Sequence, residues 1–151
     1  LKIFKEDDNP YVTEDYKDIK KLKKYYKYMQ QLRTSQSNLA GHDWLIKLKD
    51  TQTYIGVISI YELSRETIND NDLKFTIGFA IGNTFHRNYY ATEAIQHLFD
   101  FAKNVLGRSL ALAYIQDGNQ PSKQLFKKLG FEDVTDEYMG GPDVRFYHLE
   151  I

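Results

Sequence analysis

Between residues 74 and 130 the hydrophobic period of the chain changes from extended to helical and back, and this limits its possible folds more than any other feature. Lys74-Phe75-Thr76-Ile77-Gly78-Phe79-Ala80-Ile81 is rich in aromatic and branched side chains and reads as a strand. From Ala91 the apolar positions Ala91, Ala94, Ile95, Leu98, Ala102 and Val105 recur at helical spacing, and Gly107 is placed to stop that helix. Leu110-Ala111-Leu112-Ala113-Tyr114-Ile115 is almost wholly apolar, the pattern of a strand buried on both faces and so central in its sheet. A shorter helix then starts near Asn119 and Pro121, presents Leu125, Phe126 and Leu129, and stops at Gly130. Strand, helix and strand in this order make a parallel crossover. The helix N-terminus then lies at the C-terminal end of the first strand, where unpaired amides and the backbone dipole can hold phosphate.

The flanking segments complete a mixed α/β pattern. Thr13 is placed to cap a helix with Glu14 and Asp15 in its first turn and the apolar stripe Ile19, Leu22, Tyr26 and Met29, ending before Gly41. Trp44, Ile46 and Leu48 alternate with Leu45, Lys47 and Lys49. Asp50-Thr51-Gln52-Thr53 is turn-like and Tyr54 to Tyr61 is extended again, so an antiparallel hairpin is expected. Ser64 to Asp72 reads as a polar loop. Phe131 to Tyr138 and Val144 to Ile151 read as two strands joined around Met139-Gly140-Gly141-Pro142-Asp143. No repeat or linker interrupts the 151 residues, and a hydrophobic fraction of 42% suffices for one core, so one domain over 1–151 is expected.

Several function classes are disfavoured. The formal charge of -1 gives no global field for nucleic acid or an anionic membrane. Lys17, Lys20, Lys21, Lys23, Lys24 and Lys27 alternate with tyrosines, yet they are spread around the predicted helix as a solvated face would be, which argues against a nucleic-acid surface. With no cysteine there is no disulfide, thiolate metal site or thiol nucleophile. No apolar run approaches the ~20 residues needed to span a bilayer, and the N-terminus lacks the apolar stretch of a secretory signal, so no membrane partner and a cytoplasmic location are expected. His42, His97 and His148 lack metal-ligand spacing, and no metal is expected. No nucleophile elbow, Walker loop or zincin motif is present.

Ile77-Gly78-Phe79-Ala80-Ile81, His86-Arg87-Asn88-Tyr89-Tyr90-Ala91-Thr92-Glu93-Ala94, Asn119-Gln120-Pro121-Ser122 and Leu129-Gly130-Phe131 follow one another in the order found in the RimJ/RimL branch of the GNAT N-acetyltransferases, which the chain resembles from about residue 44 onward. The resemblance implies a mixed central β-sheet flanked by helices on both faces, with the parallel strands 74–81 and 109–116 splayed into a cleft for acetyl-CoA. It also implies transfer of an acetyl group to a primary amine by direct attack. The family's coenzyme loop reads Gln or Arg, two residues, Gly, one residue, then Gly or Ala. Here His86 takes the first position, Tyr89 the glycine and Ala91 the last; a shift by one puts Arg87 first and Tyr90 at the glycine. The backbone of His86, Arg87, Asn88, Tyr89, Tyr90 and Ala91 is thereby expected to cradle the pyrophosphate. Glycine suits that turn because the backbone approaches phosphate closely and adopts a positive φ, a conformation in which tyrosine is strained.

By the same resemblance, amides near Phe79, Ala80 and Ile81 would stabilise charge on the thioester oxygen, Asn119 would orient the pantetheine arm, and Ser122 would protonate the departing thiolate, Phe126 standing where many relatives have a tyrosine. Glu62, just after the second strand, is the candidate base. For Glu62 and Ser122 the plain readings are a surface and a capping residue; for His86, a surface loop histidine. Tyr89 is either a packing residue in a loop that no longer binds coenzyme or a ring stacked against it. The whole-chain alternative is an inactive GNAT-like domain serving as a structural or protein-interaction module. The acceptor would be a small-molecule amine or a protein N-terminus, its pocket built from variable loops with a homodimer's second subunit as a further source. The acidic groups Glu132, Asp133, Asp136 and Glu137, and Glu66, Asp70 and Asp72, are candidates for the acceptor mouth or plain solubilising charge. Family members begin with a further strand and helix. Only Leu1 to Asn9 precede the Thr13 helix here, so the expectation is a missing upstream segment or a differently built edge.

Overall fold

The change of period between residues 74 and 130 produces the expected crossover in a computed structural model, which describes residues 9–12, 17–35, 41–61, 74–137 and 143–151. The elements are α1 (Ile19–Ser35), β1 (His42–Lys47), β2 (Tyr54–Tyr61), β3 (Lys74–Ile81), α2 (Tyr90–Asn104), β4 (Leu110–Gln116), α3 (Gln120–Lys128), β5 (Glu132–Asp133) and β6 (Val144–Glu150). Among the described residues six strands form one sheet in the order β1-β2-β3-β4-β6-β5, and of these neighbours only β3 and β4 run parallel.

Strand alternation sorts the side chains onto two faces. Ile58, Ile60, Phe75, Ile77, Ala113 and Tyr147 face one side and form the main core with Ile95, Leu98 and Ala102 of α2 and Phe126 of α3. Phe75, Ile60 and Ile95 are fully buried, each such side chain contributing about 1.5–3 kcal/mol of transfer free energy. The alternate residues Ser59, Lys74 and Thr76 face the other side and are buried as well. There α1 lies beside β1, its Leu22 and Tyr26 sharing a groove with Asp43 and Leu45. Helices thus cover both faces, as the α/β pattern requires. Gly107, at φ +62, follows α2, and the Arg108 amide returns to the Ala102 carbonyl at 2.9 Å.

The expected cap and first turn at Thr13, Glu14 and Asp15 lie outside the described residues. The amides at the start of α1 are met by Asp18, whose Oδ1 accepts from Lys20 at 2.8 Å. Along its stripe Leu22 is buried but Ile19 is 58% exposed, and the Met29 side chain is outside the described set. The expected strand from Phe131 to Tyr138 shrinks to Glu132–Asp133, followed by a 3₁₀ turn at Thr135–Glu137. Asp133 Oδ1 accepts from the Thr135 amide at 3.1 Å and from its hydroxyl at 2.5 Å, and this local bonding competes with the sheet ladder.

Candidate active site

Parallel pairing between β3 and β4 stops after Lys74↔Leu110, Phe75↔Ala111 and Thr76↔Leu112, and beyond it the strands diverge. Gly82 donates its amide to the Ile55 carbonyl at 2.9 Å, extending the β2–β3 ladder by one pair. Antiparallel alternation then turns the backbone groups of Ala80 and Gly78 toward β2, and those of Ile77, Phe79 and Ile81 toward the divergence. A cavity of about 470 Å³ fills the opening. The ring of Phe79 packs on Phe126, centroids 5.9 Å apart, which seats α3 over one end.

The turn that leaves β3 is tied back to it. His86 Nε2 lies 2.8 Å from the Ile81 carbonyl oxygen; a carbonyl only accepts, so Nε2 carries the hydrogen. Asn88 Nδ2 donates to the His86 carbonyl at 3.0 Å. Arg87 (φ 64) and Tyr89 (φ 62) are both left-handed, costing roughly 1–2 kcal/mol each for a residue with a Cβ. Tyr89 therefore adopts the backbone conformation that glycine takes freely, and at 81% exposure its ring stands in solvent rather than packing into the loop. Tyr89 is the N-cap residue of α2 without any side-chain cap, and the first helical bond runs from the Glu93 amide to the Tyr89 carbonyl at 3.0 Å. The amides of Tyr90, Ala91 and Thr92 precede that bond and point out of the helix end, where the dipole favours an anion.

At the other side of the opening Asn119 caps α3, its Oδ1 accepting from the Ser122 amide at 3.2 Å, with Pro121 in the first turn. Both residues line the cavity. Just before the helix, Asp117 meets Lys123 Nζ at 2.6 Å and Arg145 Nε at 3.4 Å. The hydrogen bond and charge of Lys123 hold its carboxyl below the usual carboxylate range.

Of the sequence-derived candidates, Phe79, Ala80, Asn119 and Ser122 border one cavity. Ile81, His86, Arg87, Asn88, Tyr89, Tyr90 and Ala91 form the strand end, loop and helix start beyond it. Glu62, Glu66, Asp70 and Asp72 lie outside the described residues. Glu132, Asp133, Asp136 and Glu137 do not border the cavity. They belong to the far edge strand and its turn, where Glu132 lies 3.7 Å from His148. Lys20, Lys21, Lys23, Lys24 and Lys27 are exposed. Among the described residues no group of three or more potential ligands could hold a metal, and no helix is long and apolar enough to cross a membrane. Sequence reasoning missed Asp43 and Ser59, which border the cavity with Ser59 Oγ donating to Asp43 Oδ1 at 2.6 Å. Their signal was an aspartate within a strand, where this residue is disfavoured.

Residues 3–132 match the family model described as an acetyltransferase (GNAT) domain. The "Uncharacterized N-acetyltransferase YoaA" of Bacillus subtilis (strain 168) is 31% identical over 101 residues, 66% of this chain and 54% of that protein, so the chain spans about half the length of this curated relative. Among solved structures, a chimera of spermidine N-acetyltransferase SpeG from Vibrio cholerae and hSSAT superposes with a TM-score of 0.72 at 11% identity, over 97% of this chain and 85% of the other. Ribosomal-protein-S5-alanine acetyltransferase from Vibrio fischeri gives 0.70 at 15% identity, over 94% and 77%. These two share the fold; the family model spans most of the chain, and by that match the chain belongs to the GNAT acetyltransferase family.

Proposed function

We propose that this chain is an N-acetyltransferase of the RimJ/RimL-like kind, moving an acetyl group from acetyl-CoA to a primary amine by direct attack. The observation that carries the reading is the divergence of β3 and β4, with Phe79 backbone groups turned into it and the uncapped start of α2 beyond. Two left-handed residues in the loop give the backbone the turn an anion cradle needs, and the exposed Tyr89 ring leaves that cradle unfilled. The residues present therefore fit the coenzyme.

Acetyl-CoA, as co-substrate, would supply the activated thioester. The amides of Tyr90, Ala91 and Thr92 would receive the pyrophosphate, with His86, Arg87 and Asn88 shaping the turn. Asn119 would orient the pantetheine arm. Phe79 and Ile81 amides would stabilise negative charge on the carbonyl oxygen, and the Ser122 hydroxyl would return a proton to the departing sulfur. Glu62 is the proposed acceptor of the amine's proton. The two Vibrio proteins are named for a ribosomal protein and for spermidine, which supports primary-amine acceptors of either size, a protein N-terminus or a small molecule.

Calorimetric titration with acetyl-CoA, followed by a panel of amines with free thiol as readout, tests this. Micromolar binding and amine-dependent thiol release are expected. Absence of binding by both the native chain and Tyr89→Gly would overturn it.

A further inference from the structure

The opening between β3 and β4 reaches both faces of the sheet, and its two ends differ in chemistry. Asn119, Ser122 and Phe126 bound it on the face carrying α3, the end assigned above to the coenzyme. At the other end Asp43, Ser59 and Gly78 form one row across three strands, through the pairs Asp43↔Ser59 and Ser59↔Gly78. They alternate with Trp44, Ile58 and Phe79, which belong to the core on the α2 face, so the row looks toward α1. Tyr25, Tyr61 and Tyr114 complete this end.

Asp43 is the only acid or base of the aspartate, glutamate, lysine or arginine kind among the described residues bordering the cavity. The 2.6 Å bond from Ser59 Oγ is of the short, charge-assisted kind, and Ser59 itself is 7% exposed. A hydroxyl that donates to a carboxylate presents only lone pairs to its other neighbours, so the pair is a hydrogen-bond acceptor with a negative charge behind it. Strands lie ~4.8 Å apart, which puts the Asp43 backbone about 10 Å from β3 and Ser59 between them. Gly78 adds no side chain to that corridor; a Cβ there would come 3.0 Å from Tyr61 Cε1 and 3.8 Å from Ser59 Cβ. A carboxylate behind a hydroxyl, walled by aromatic rings, suits a cation with aliphatic carbons better than a neutral or anionic group.

We infer that Ser59 and Asp43 form the receiving site for the acceptor, a primary alkylammonium entering from the α1 face, with its N–H groups on Ser59 Oγ, its charge balanced by Asp43 and its carbons against Tyr61. The assignment of this end to the acceptor rests on the acyltransfer reading, but the binding site stands on its own geometry.

The isotope-labelled full chain, titrated without coenzyme with n-butylammonium chloride and followed by amide chemical shifts, tests it, with butanol and sodium chloride as controls. Saturable shifts centred on Asp43 and Ser59 are expected for the amine and for neither control. Asp43→Asn should weaken binding by about fivefold or more, Ser59→Ala by about twofold, and Asp43→Glu should keep it within about threefold. Should Asp43→Asn fail to fold, the Ser59→Ala and Asp43→Glu results decide. Unchanged affinity on loss of the carboxylate or hydroxyl, or saturable shifts only elsewhere, would overturn the site. Acetyl-CoA titrated into the same samples separates the two readings: amine binding without coenzyme binding keeps this site and removes the acyltransfer reading, while the reverse result removes only this site.

Discussion

His86 Nε2 and the Ile81 carbonyl oxygen, 2.8 Å apart, join the middle of the loop to the end of the strand it leaves. His86→Ala removes this tie while leaving the backbone amides in place. One hydrogen bond contributes about 0.5–1.5 kcal/mol to the folded state, so its loss should loosen the loop, lowering acetyl-CoA affinity by up to about tenfold in calorimetry and stability in denaturant unfolding by no more than about 1.5 kcal/mol.

Tyr89 separates backbone from side chain. Tyr89→Gly relieves the left-handed strain but adds unfolded-state entropy, for a net gain of up to about 1 kcal/mol in denaturant unfolding. Tyr89→Ala keeps the strain and removes only the ring. If the ring takes no part in binding, both variants should hold coenzyme within about twofold of the native chain; a loss common to both would assign it a stacking role.

Asn119 and Ser122 share one helix start but are expected to differ in effect. Asn119→Ala leaves the Ser122 amide without its acceptor and should cost about 1 kcal/mol of stability. Ser122→Ala keeps that amide. It should leave coenzyme affinity near native and lower kcat by about a hundredfold, the size of a lost proton donor.

Tyr147 and Asp133 pair across β5 and β6. Burial pushes the Tyr147 phenol up from 10.0, aided by the Asp133 charge and their hydrogen bond. Burial works against Asp133, yet the hydroxyl and amide of Thr135, with Arg145 and Tyr147, hold its carboxyl below 3.8. For the phenol, the folded state binds the proton more tightly, so its stability contribution is complete below about pH 10 and declines as pH rises through the folded value. For the carboxylate, the contribution is present above about pH 4 and is lost as pH falls through the lower folded value. Denaturant melts across pH should show both limbs, and Tyr147→Phe should flatten the alkaline one.

The crossover and the family were legible in the sequence because each rests on local chemistry: branched residues at 74–81, helical spacing from Ala91, an apolar run at 110–115 and a cap at Asn119. The positive φ expected at the glycine position is present at Tyr89. Asp43 and Ser59 were not legible, because they are 16 residues apart and meet only through strand register. The short β5 was misjudged because Thr135 and Asp133 bond locally where alternation alone favours a strand.

The three pairs between β3 and β4 have a mechanical consequence. They make the sheet two antiparallel halves, β1-β2-β3 and β4-β6-β5, stitched along a short seam at one end. Past the seam, hydrogen-bonding edges face each other across a wedge, so a guest carrying its own amides would act as the missing stitches. Its binding would couple the halves and raise the unfolding free energy of the whole, by about 2.7 kcal/mol at a hundred times its Kd, and the slowest-exchanging amides would then extend from the seam toward the wedge's open end.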